Sequence, residues 1–89
     1  EEFTVYLPHT NREQAELLAD RIMHAIGTNV VQSGTEQVRV TISMGIVSED
    51  TQDLTVDNPK EYLRDLFSRA DAALYKAKNE GRNRVVTAY

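Results

Sequence analysis

Nine residues in the middle of the chain alternate between apolar and other side chains without a break. The apolar ones occupy every second position: Val38, Val40, Ile42, Met44 and Ile46. Because successive side chains of a β-strand point to opposite faces, this period of two predicts a strand with one face on a core. Gly45 lies within the run and weakens a strand, so we expect a bulge or a close backbone contact there.

Two stretches with apolar residues at helical spacing flank this strand. The first follows a Thr-Asn-Arg-Glu sequence that begins at Thr10 and matches a capping box, and it stops at Gly27. The second opens with Asn58 as a cap and Pro59 in the first turn, and it stops at Gly81. Each stretch predicts an amphipathic helix with one buried stripe.

Shorter segments complete the pattern. They are a polar loop and three strands, over residues 48–58, 3–7, 29–32 and 85–89, with a turn at Ser33-Gly34. The order strand, helix, strand, strand, helix, strand matches the split βαβ, or ferredoxin-like, plan. We therefore predict an α+β fold of the α/β class, with two helices packed on a mainly antiparallel sheet. This plan hosts many functions and names none.

The composition excludes several classes of protein. The chain has 89 residues, enough for one small domain, and no cysteine, which excludes disulfides and thiolate metal sites. No apolar run approaches the roughly 18 residues of a membrane span, and no signal peptide opens the chain. We expect a cytoplasmic protein. The net charge of −4 argues against nucleic-acid binding.

One short segment near the end of the chain is basic. Its four basic residues stand against Glu80 alone: Lys76, Lys78, Arg82 and Arg84. One interpretation is a solvated helix end, where cations also suit the helix dipole. The other is a site for a small polyanion. The segment by itself leaves both interpretations open.

Three segments resemble those of one known family. The chain opens with Glu-Glu-Phe, as in the last three residues of a GGEEF signature. The strand Val-Thr-Ile-Ser-Met-Gly-Ile-Val, which begins at Val40, resembles the family's Ser-x-Gly-Val-type strand. The ten residues from Arg69 to Lys78, followed by Gly-Arg-Asn-Arg-Val, resemble its closing helix and strand. The resemblance is to the GGDEF-domain diguanylate cyclases, and it covers essentially the whole chain.

The resemblance implies a fold of the nucleotide-cyclase palm type and a catalyst that joins two GTP molecules into cyclic di-GMP with release of pyrophosphate. It also implies Mg²⁺ or Mn²⁺ as cofactor, because hard cations bind phosphate and carboxylate oxygens. Two such domains meet as a homodimer, each with one GTP, and cyclic di-GMP also acts as an inhibitor. An upstream sensor or receiver domain is implied, and the parent protein can be attached to the inner face of the membrane.

The resemblance assigns roles to five residues. It implies that Glu1 is a metal ligand linked to activation of the attacking 3′-hydroxyl, and that Glu2 assists metal binding or catalysis. Lys78 and Arg82 match the basic pair that contacts the β- and γ-phosphates. Arg21 matches an arginine of a product-inhibition site in some members, although an exposed helix arginine is the favoured interpretation.

Two further residues of the closing helix have blander interpretations. We expect Asp71 to make a structural hydrogen bond. Tyr75 is able to stack on a base in principle, but packing is the expected role.

Other parts of the active site are expected to lie upstream of this chain. They include the two glycines of the signature, the first metal-binding aspartate and the groups that read guanine. We therefore expect residues 1–89 to be the C-terminal portion of a single, incomplete domain that makes no cyclic di-GMP alone. The strands missing from its sheet leave edges on which a second copy of the chain is expected to pair.

Two other interpretations stay open at this stage. One is a degenerate, non-catalytic GGDEF domain that takes part in signalling or binds nucleotide. The other is an unrelated ferredoxin-like interaction module.

Overall fold

The computed structural model describes residues 2–50 and 55–88. In chain order they form α1 (Arg12–Thr28), β1 (Val31–Ser33), β2 (Glu36–Val38), β3 (Met44–Ile46), α2 (Pro59–Asn79) and β4 (Val85–Thr87). The strands pair as an antiparallel hairpin, β1–β2, and a parallel pair, β3–β4. The predicted α+β fold with two helices is therefore confirmed, and the strands expected in one mainly antiparallel sheet form two separate pairs within the described residues. Residue 1, residues 51–54 of the predicted loop and residue 89 lie outside the described residues.

Helix α2 packs closely on β3 and β4 because the residues between them are small. Ala73 and Ala77 are buried, and Gly45 of β3 has no side chain to hold the helix away. A Cβ built on Gly45 would overlap the carbonyl oxygen of Ala70 and the backbone nitrogen of Leu74. The close backbone contact predicted at Gly45 is confirmed.

Helix α1 also contacts β3 and β4. It buries Ala15 and Ala19. At its first turns, the carboxylate of Glu16 accepts a part-buried hydrogen bond from the hydroxyl of Thr87 in β4, at 2.8 Å. In the part of the chain that the structure describes, neither helix is long and apolar enough to cross a membrane.

The capping box of α1 begins one residue later than the sequence predicts. The side-chain oxygen of Asn11 accepts a hydrogen bond from the backbone N–H of Gln14 at 2.8 Å, and the Gln14 side chain accepts one from the Asn11 N–H at 3.0 Å. The prediction of Thr10 as cap is wrong, because its hydroxyl donates instead to the carbonyl of Pro8 at 3.0 Å. Asparagine caps helices at least as well as threonine, so it takes the position.

Both ends of α2 agree with the prediction. Asn58 caps the start, where its side-chain oxygen accepts from the N–H of Glu61 at 3.2 Å, and Pro59 is the first residue. The helix ends at Asn79, and Gly81 follows with a φ of +121°. A positive φ strains residues that carry a Cβ, which explains why glycine ends this helix.

The hairpin stands apart from the helices. Ser33 pairs directly with Glu36, so the loop between β1 and β2 has two residues, and Gly34 takes the positive φ of 61° that such loops require. The predicted turn is confirmed, and the predicted strand at residues 29–32 is shifted by one to two residues. All six strand residues are exposed.

The alternating segment is a strand only at its two ends. β2 ends at Val38 and β3 begins at Met44, and residues 39–43 belong to no sheet. Val38 and Val40 are 39% and 51% exposed. Backbone N–H and C=O groups need partners, and no described strand lies alongside this stretch, which accounts for the break.

The strand predicted for residues 3–7 is wrong for the same reason. These residues pair with no strand of the described chain, and Phe3 and Tyr6 are 87% and 81% exposed. The pattern of side chains suits a strand, but an isolated extended segment has no neighbour to supply its hydrogen bonds.

Arg69 fastens the segment after β3 to α2. Its guanidinium pairs with Glu49 and lies 3.3 Å from a carboxylate oxygen of Asp65. Tyr62 lies beside this cluster, and its pKa is raised by burial first and by the charge of Glu49 second. The cluster lies along the first half of α2. Tyr62 is roughly 24 Å from Lys78 along the helix axis.

Candidate functional site

Two of the charged residues singled out by the sequence meet beside α2. Nζ of Lys78 donates a hydrogen bond to Oε2 of Glu2 at 2.9 Å. The residues are 76 positions apart, so the fold and not local sequence brings them together. Their side chains are 35% and 59% exposed. Because exposed ion pairs contribute only about 0–1 kcal/mol to stability, this contact matters more for where it places the two charges.

Helix α2 explains the position of Lys78. The residue lies in the last turn of the helix, next to Ala77, which is fully buried. The buried alanine holds this turn against the strands, and the negative end of the helix dipole favours a cation there. The helix therefore presents the ammonium group at a fixed place near Glu2.

The electrostatics of the pair keep Glu2 ionised. Lys78 lowers the pKa of the Glu2 carboxyl, first through the hydrogen bond and second through its positive charge. A glutamate with the ordinary pKa of about 4.3 is already ionised at neutral pH, so the lowered pKa extends the charged state of this exposed carboxylate to more acidic pH. Both properties suit a metal ligand, since metals bind deprotonated carboxylates.

A small cavity adjoins the ion pair. It measures about 170 Å³ and is lined by Glu2, Asp71, Leu74, Tyr75 and Lys78. The four residues from α2 recur three and four positions apart, so they share one face of the helix. Pockets for drug-sized ligands measure roughly 300–1,000 Å³, so the cavity that the described residues form is too small to enclose such a ligand.

Asp71 and Tyr75 were assigned bland roles from the sequence, and the structure changes both. Tyr75 is 68% exposed, so the packing role is wrong. Asp71 is exposed, and its side chain makes no hydrogen bond to any residue within 2–50 or 55–88, so the structural hydrogen bond expected there is not seen. Their spacing of seven and three positions from Lys78 is the signal that places them on its helix face.

Arg82 lies close in sequence to Lys78 but not in the cavity wall. It is exposed, follows Gly81 in the turn after α2 and has a φ of 64°. It is not among the described residues that line the cavity. Of the predicted basic pair, the structure brings Lys78 to Glu2.

The remaining predicted site residues lie elsewhere. Glu1 is outside the described residues. Arg21 is exposed on α1 and is not among the described residues that line the cavity.

The carboxylates in this region suit a cation that needs few protein ligands. Within residues 2–50 and 55–88 no three acidic or histidine side chains are grouped closely enough to hold a metal ion. Mg²⁺ usually keeps several waters and binds through one or two carboxylates plus substrate phosphates. Glu2 therefore fits as part of such a site, with the phosphates supplying the other oxygens.

The similarity to known proteins covers the segments that carry Glu2 and Lys78. Residues 1–84 match the family described as diguanylate cyclase, GGDEF domain. Diguanylate cyclase DgcM of Escherichia coli K12 is 39% identical over 88 residues, which is 99% of this chain and 19% of the relative. Response regulator PleD of Caulobacter vibrioides is 40% identical over 88 residues, which is 97% of this chain and 18% of the relative.

A third relative gives the same picture. Diguanylate cyclase A of Treponema denticola is 36% identical over 85 residues, 96% of this chain and 21% of its own length. The chain thus spans about a fifth of the length of the curated relatives it matches. The matched family includes the Glu2 and Lys78 segments alike, and the chain belongs to the GGDEF-domain family of diguanylate cyclases.

Proposed function

We propose that this chain is part of a diguanylate cyclase that condenses two molecules of GTP into cyclic di-GMP and releases pyrophosphate. Family membership and the names of the relatives support the reaction class. The observation that carries the proposal is the 2.9 Å contact between Glu2 and Lys78. It sets a carboxylate and a cation, the two groups that a metal–triphosphate needs, side by side.

The basic residues act on the leaving group. Attack by the 3′-oxygen of one GTP, which loses its hydroxyl proton to solvent, forms a bond to the α-phosphorus of the other and breaks the bond between that phosphorus and the oxygen that bridges it to the β-phosphorus. The reciprocal attack by the second 3′-oxygen closes the ring and releases the second pyrophosphate. Negative charge then accumulates on the departing pyrophosphate. Lys78 and Arg82 are proposed to contact the β- and γ-phosphates, where charge-assisted hydrogen bonds stabilise this charge.

The acidic residues act on the attacking side. Glu1 and Glu2 would hold Mg²⁺ or Mn²⁺, which polarises the phosphate and lowers the cost of ionising the 3′-hydroxyl. Lys78 would turn one or more of its three N–H donors to a phosphate when substrate binds. Glu2 would then be available to hold the cation.

The proposed partners follow from the chemistry. Each domain holds one GTP, so a productive encounter needs a second domain face to face with the first, as a homodimer. Cyclic di-GMP is the product and, with Arg21 as a contact, an inhibitor. We also propose an upstream sensor or receiver domain, a cytoplasmic location for the catalytic domain, and no role for nucleic acid.

Turnover of GTP by the full-length protein tests this function. We expect Lys78→Met and Glu2→Gln each to lower kcat/KM by about a hundredfold or more, because each removes a charge that stabilises the transition state. Lys76→Met is the matched control, since Lys76 lies in the same turn of α2, is 64% exposed and faces Glu80 instead. Equal losses in the two lysine variants would contradict the assignment.

The same assay separates the alternative function. A degenerate, non-catalytic member of the family would bind GTP and form no cyclic di-GMP in the wild-type protein. No structural observation favours that alternative over catalysis, since Glu2 and Lys78 are both present and in contact.

A further inference from the structure

The turn that carries Arg82 has an unusual backbone. Gly81, Arg82 and Asn83 have φ values of 121°, 64° and 50°, so three successive residues lie in the left-handed half of conformational space. Glycine adopts that region freely. Arginine rarely adopts it, and asparagine does so more often than most residues that carry a Cβ. Such a turn persists when surrounding contacts determine it.

Two of the three backbone N–H groups in this turn bond to the helix that precedes them. The N–H of Gly81 donates to the carbonyl of Lys78 at 3.4 Å, and that of Arg82 donates to the carbonyl of Ala77 at 3.0 Å. This is the pattern of a Schellman motif, which ends many helices at glycine. It fixes the first half of the turn and leaves Asn83 to be held by something else.

Ser43 holds the second half. The N–H of Asn83 donates to the hydroxyl oxygen of Ser43 at 3.1 Å, across 40 residues of sequence. The next residue, Met44, donates its N–H to the carbonyl of Arg84 at 3.0 Å. Ser43, just before β3, and Met44, its first residue, therefore hold two consecutive residues at the end of the turn.

We infer that Ser43 is a positioning residue for Arg82: its hydroxyl holds the left-handed turn in place and so sets the direction in which the Arg82 side chain projects from the turn after α2. The part of this inference that concerns phosphate binding rests on the proposed function. Gly45 lies two positions further along the chain, in β3, and lets α2 approach that strand closely. The Ser-x-Gly sequence thus locates both the helix and the turn that follows it.

The alternative interpretation is that the hydrogen bond between Asn83 and Ser43 only stabilises the β3–β4 pair. Thr87 provides a matched control, because its hydroxyl also links β4 to a distant element, through a 2.8 Å bond to Glu16. Thr87→Val removes a hydroxyl hydrogen bond from the same strand pair without touching the turn. A purely stabilising role gives Ser43→Ala and Thr87→Val the same consequences.

The first measurement is hydrogen exchange of the Asn83 amide in the full-length protein, and it does not depend on the proposed function. We expect exchange to be about tenfold or more faster in Ser43→Ala, unchanged in Thr87→Val, and close to wild type in Ser43→Thr, which keeps the hydroxyl. Unchanged protection of Asn83 in Ser43→Ala would overturn the inference.

The second measurement is the affinity of the same variants for a non-cleavable GTP analogue with Mg²⁺. We expect Ser43→Ala to weaken binding about five- to tenfold and Thr87→Val to leave it unchanged. The double variant Ser43→Ala/Arg82→Ala should bind no more weakly than Arg82→Ala, because two changes that act through one group are not additive. Additive losses would overturn the positioning role. If Arg82→Ala has no effect while Asn83 exchange is accelerated, the anchor stands and the proposed phosphate role of Arg82 fails.

Discussion

At the scale of single residues, Glu2 and Lys78 are both exposed and carry opposite charges that are in contact. An active site needs these two properties, and stability alone does not explain them. Both side chains are substantially exposed, so their ion pair adds little to the free energy of folding. The carboxylate and the ammonium group lie 2.9 Å apart. A cation that binds Glu2 therefore competes with Lys78, and an anion that binds Lys78 competes with Glu2. In the proposed function these competitors are a metal ion for Glu2 and a phosphate for Lys78.

The pH dependence of Glu2 gives the first prediction at this scale. Its folded-state pKa is lowered by Lys78, so the stabilisation from the pair is present above the ordinary glutamate pKa of about 4.3 and is lost as pH falls through the lower folded value. We expect Lys78→Met to raise the pKa of Glu2, measured by NMR titration of the carboxyl carbon. Lys76→Met should leave it low. A Glu2 pKa that is the same in all three proteins would contradict the contact.

Gly45 gives a second prediction. In Gly45→Ala the new methyl group would collide with backbone atoms of Ala70 and Leu74, which cannot move without shifting α2. We expect a loss of about 1–3 kcal/mol in the free energy of unfolding, measured by denaturant titration.

Gly27 is the matched control for that change. It lies in α1, a Cβ there meets nothing within 4 Å, and its φ is negative. We expect Gly27→Ala to stabilise the protein by about 0.5–1 kcal/mol, since glycine is a poor helix former. Equal effects of the two substitutions would show that the approach of α2 to β3 is not as close as described.

At the scale of elements, the helices and the hairpin turn could be predicted and the longer strands could not. Caps and terminal glycines are local signals, and Asn58, Pro59 and Gly81 act where the sequence placed them. A strand depends on a neighbour that local sequence does not name. The period-two pattern around Val40 therefore became a strand only where a described partner lies beside it.

The candidate site, like the fold, could be predicted only in part from the sequence. Lys78 and Glu2 were found through motifs, but their contact across 76 residues depends on the tertiary fold. The exposure of Tyr75 and the anchoring of Asn83 by Ser43 also required coordinates. Side-chain type and spacing indicate which residues share one face of α2. They do not show which other residues contact that face.

Helix α2 gives a prediction at this scale. Ala77 is fully buried against the strands, whereas Ala72 is exposed on the same helix. We expect Ala77→Leu to destabilise the protein by about 1–3 kcal/mol, because the larger side chain pushes α2 off β3 and β4. Ala72→Leu should change stability by less than about 0.5 kcal/mol. Thermal unfolding of the two variants makes the comparison, and equal losses would mean that the helix packs on another face.

At the scale of the whole molecule, the chain exposes more surface than its size explains. Its accessible area is 7384 Å², whereas a compact protein of this mass exposes about 5,300 Å². The excess is as large as many obligate interfaces. It includes large apolar side chains, among them Phe3, Tyr6, Leu63 and Phe67.

The prediction at this scale concerns the isolated 89-residue chain. We expect it to self-associate as its concentration rises, because exposed apolar faces and strand edges pair with copies of themselves. We also expect it to form no cyclic di-GMP, since the cavity of about 170 Å³ beside Glu2 and Lys78 is too small to enclose a nucleotide. Sedimentation velocity checks the first expectation and a product assay the second. A monomer at high concentration with a cooperative melt would contradict the first, and turnover the second.

The central claim is that Lys78 holds the terminal phosphates of a nucleotide beside Glu2. Calorimetric titration of the full-length protein with GTP and with GMP, both with Mg²⁺ and under conditions without turnover, tests it most directly. We expect Lys78→Met to weaken GTP binding by about tenfold or more and GMP binding by less than about twofold, while Lys76→Met changes neither. Wild-type affinity for GTP in Lys78→Met, or equal losses for GTP and GMP, would contradict the claim.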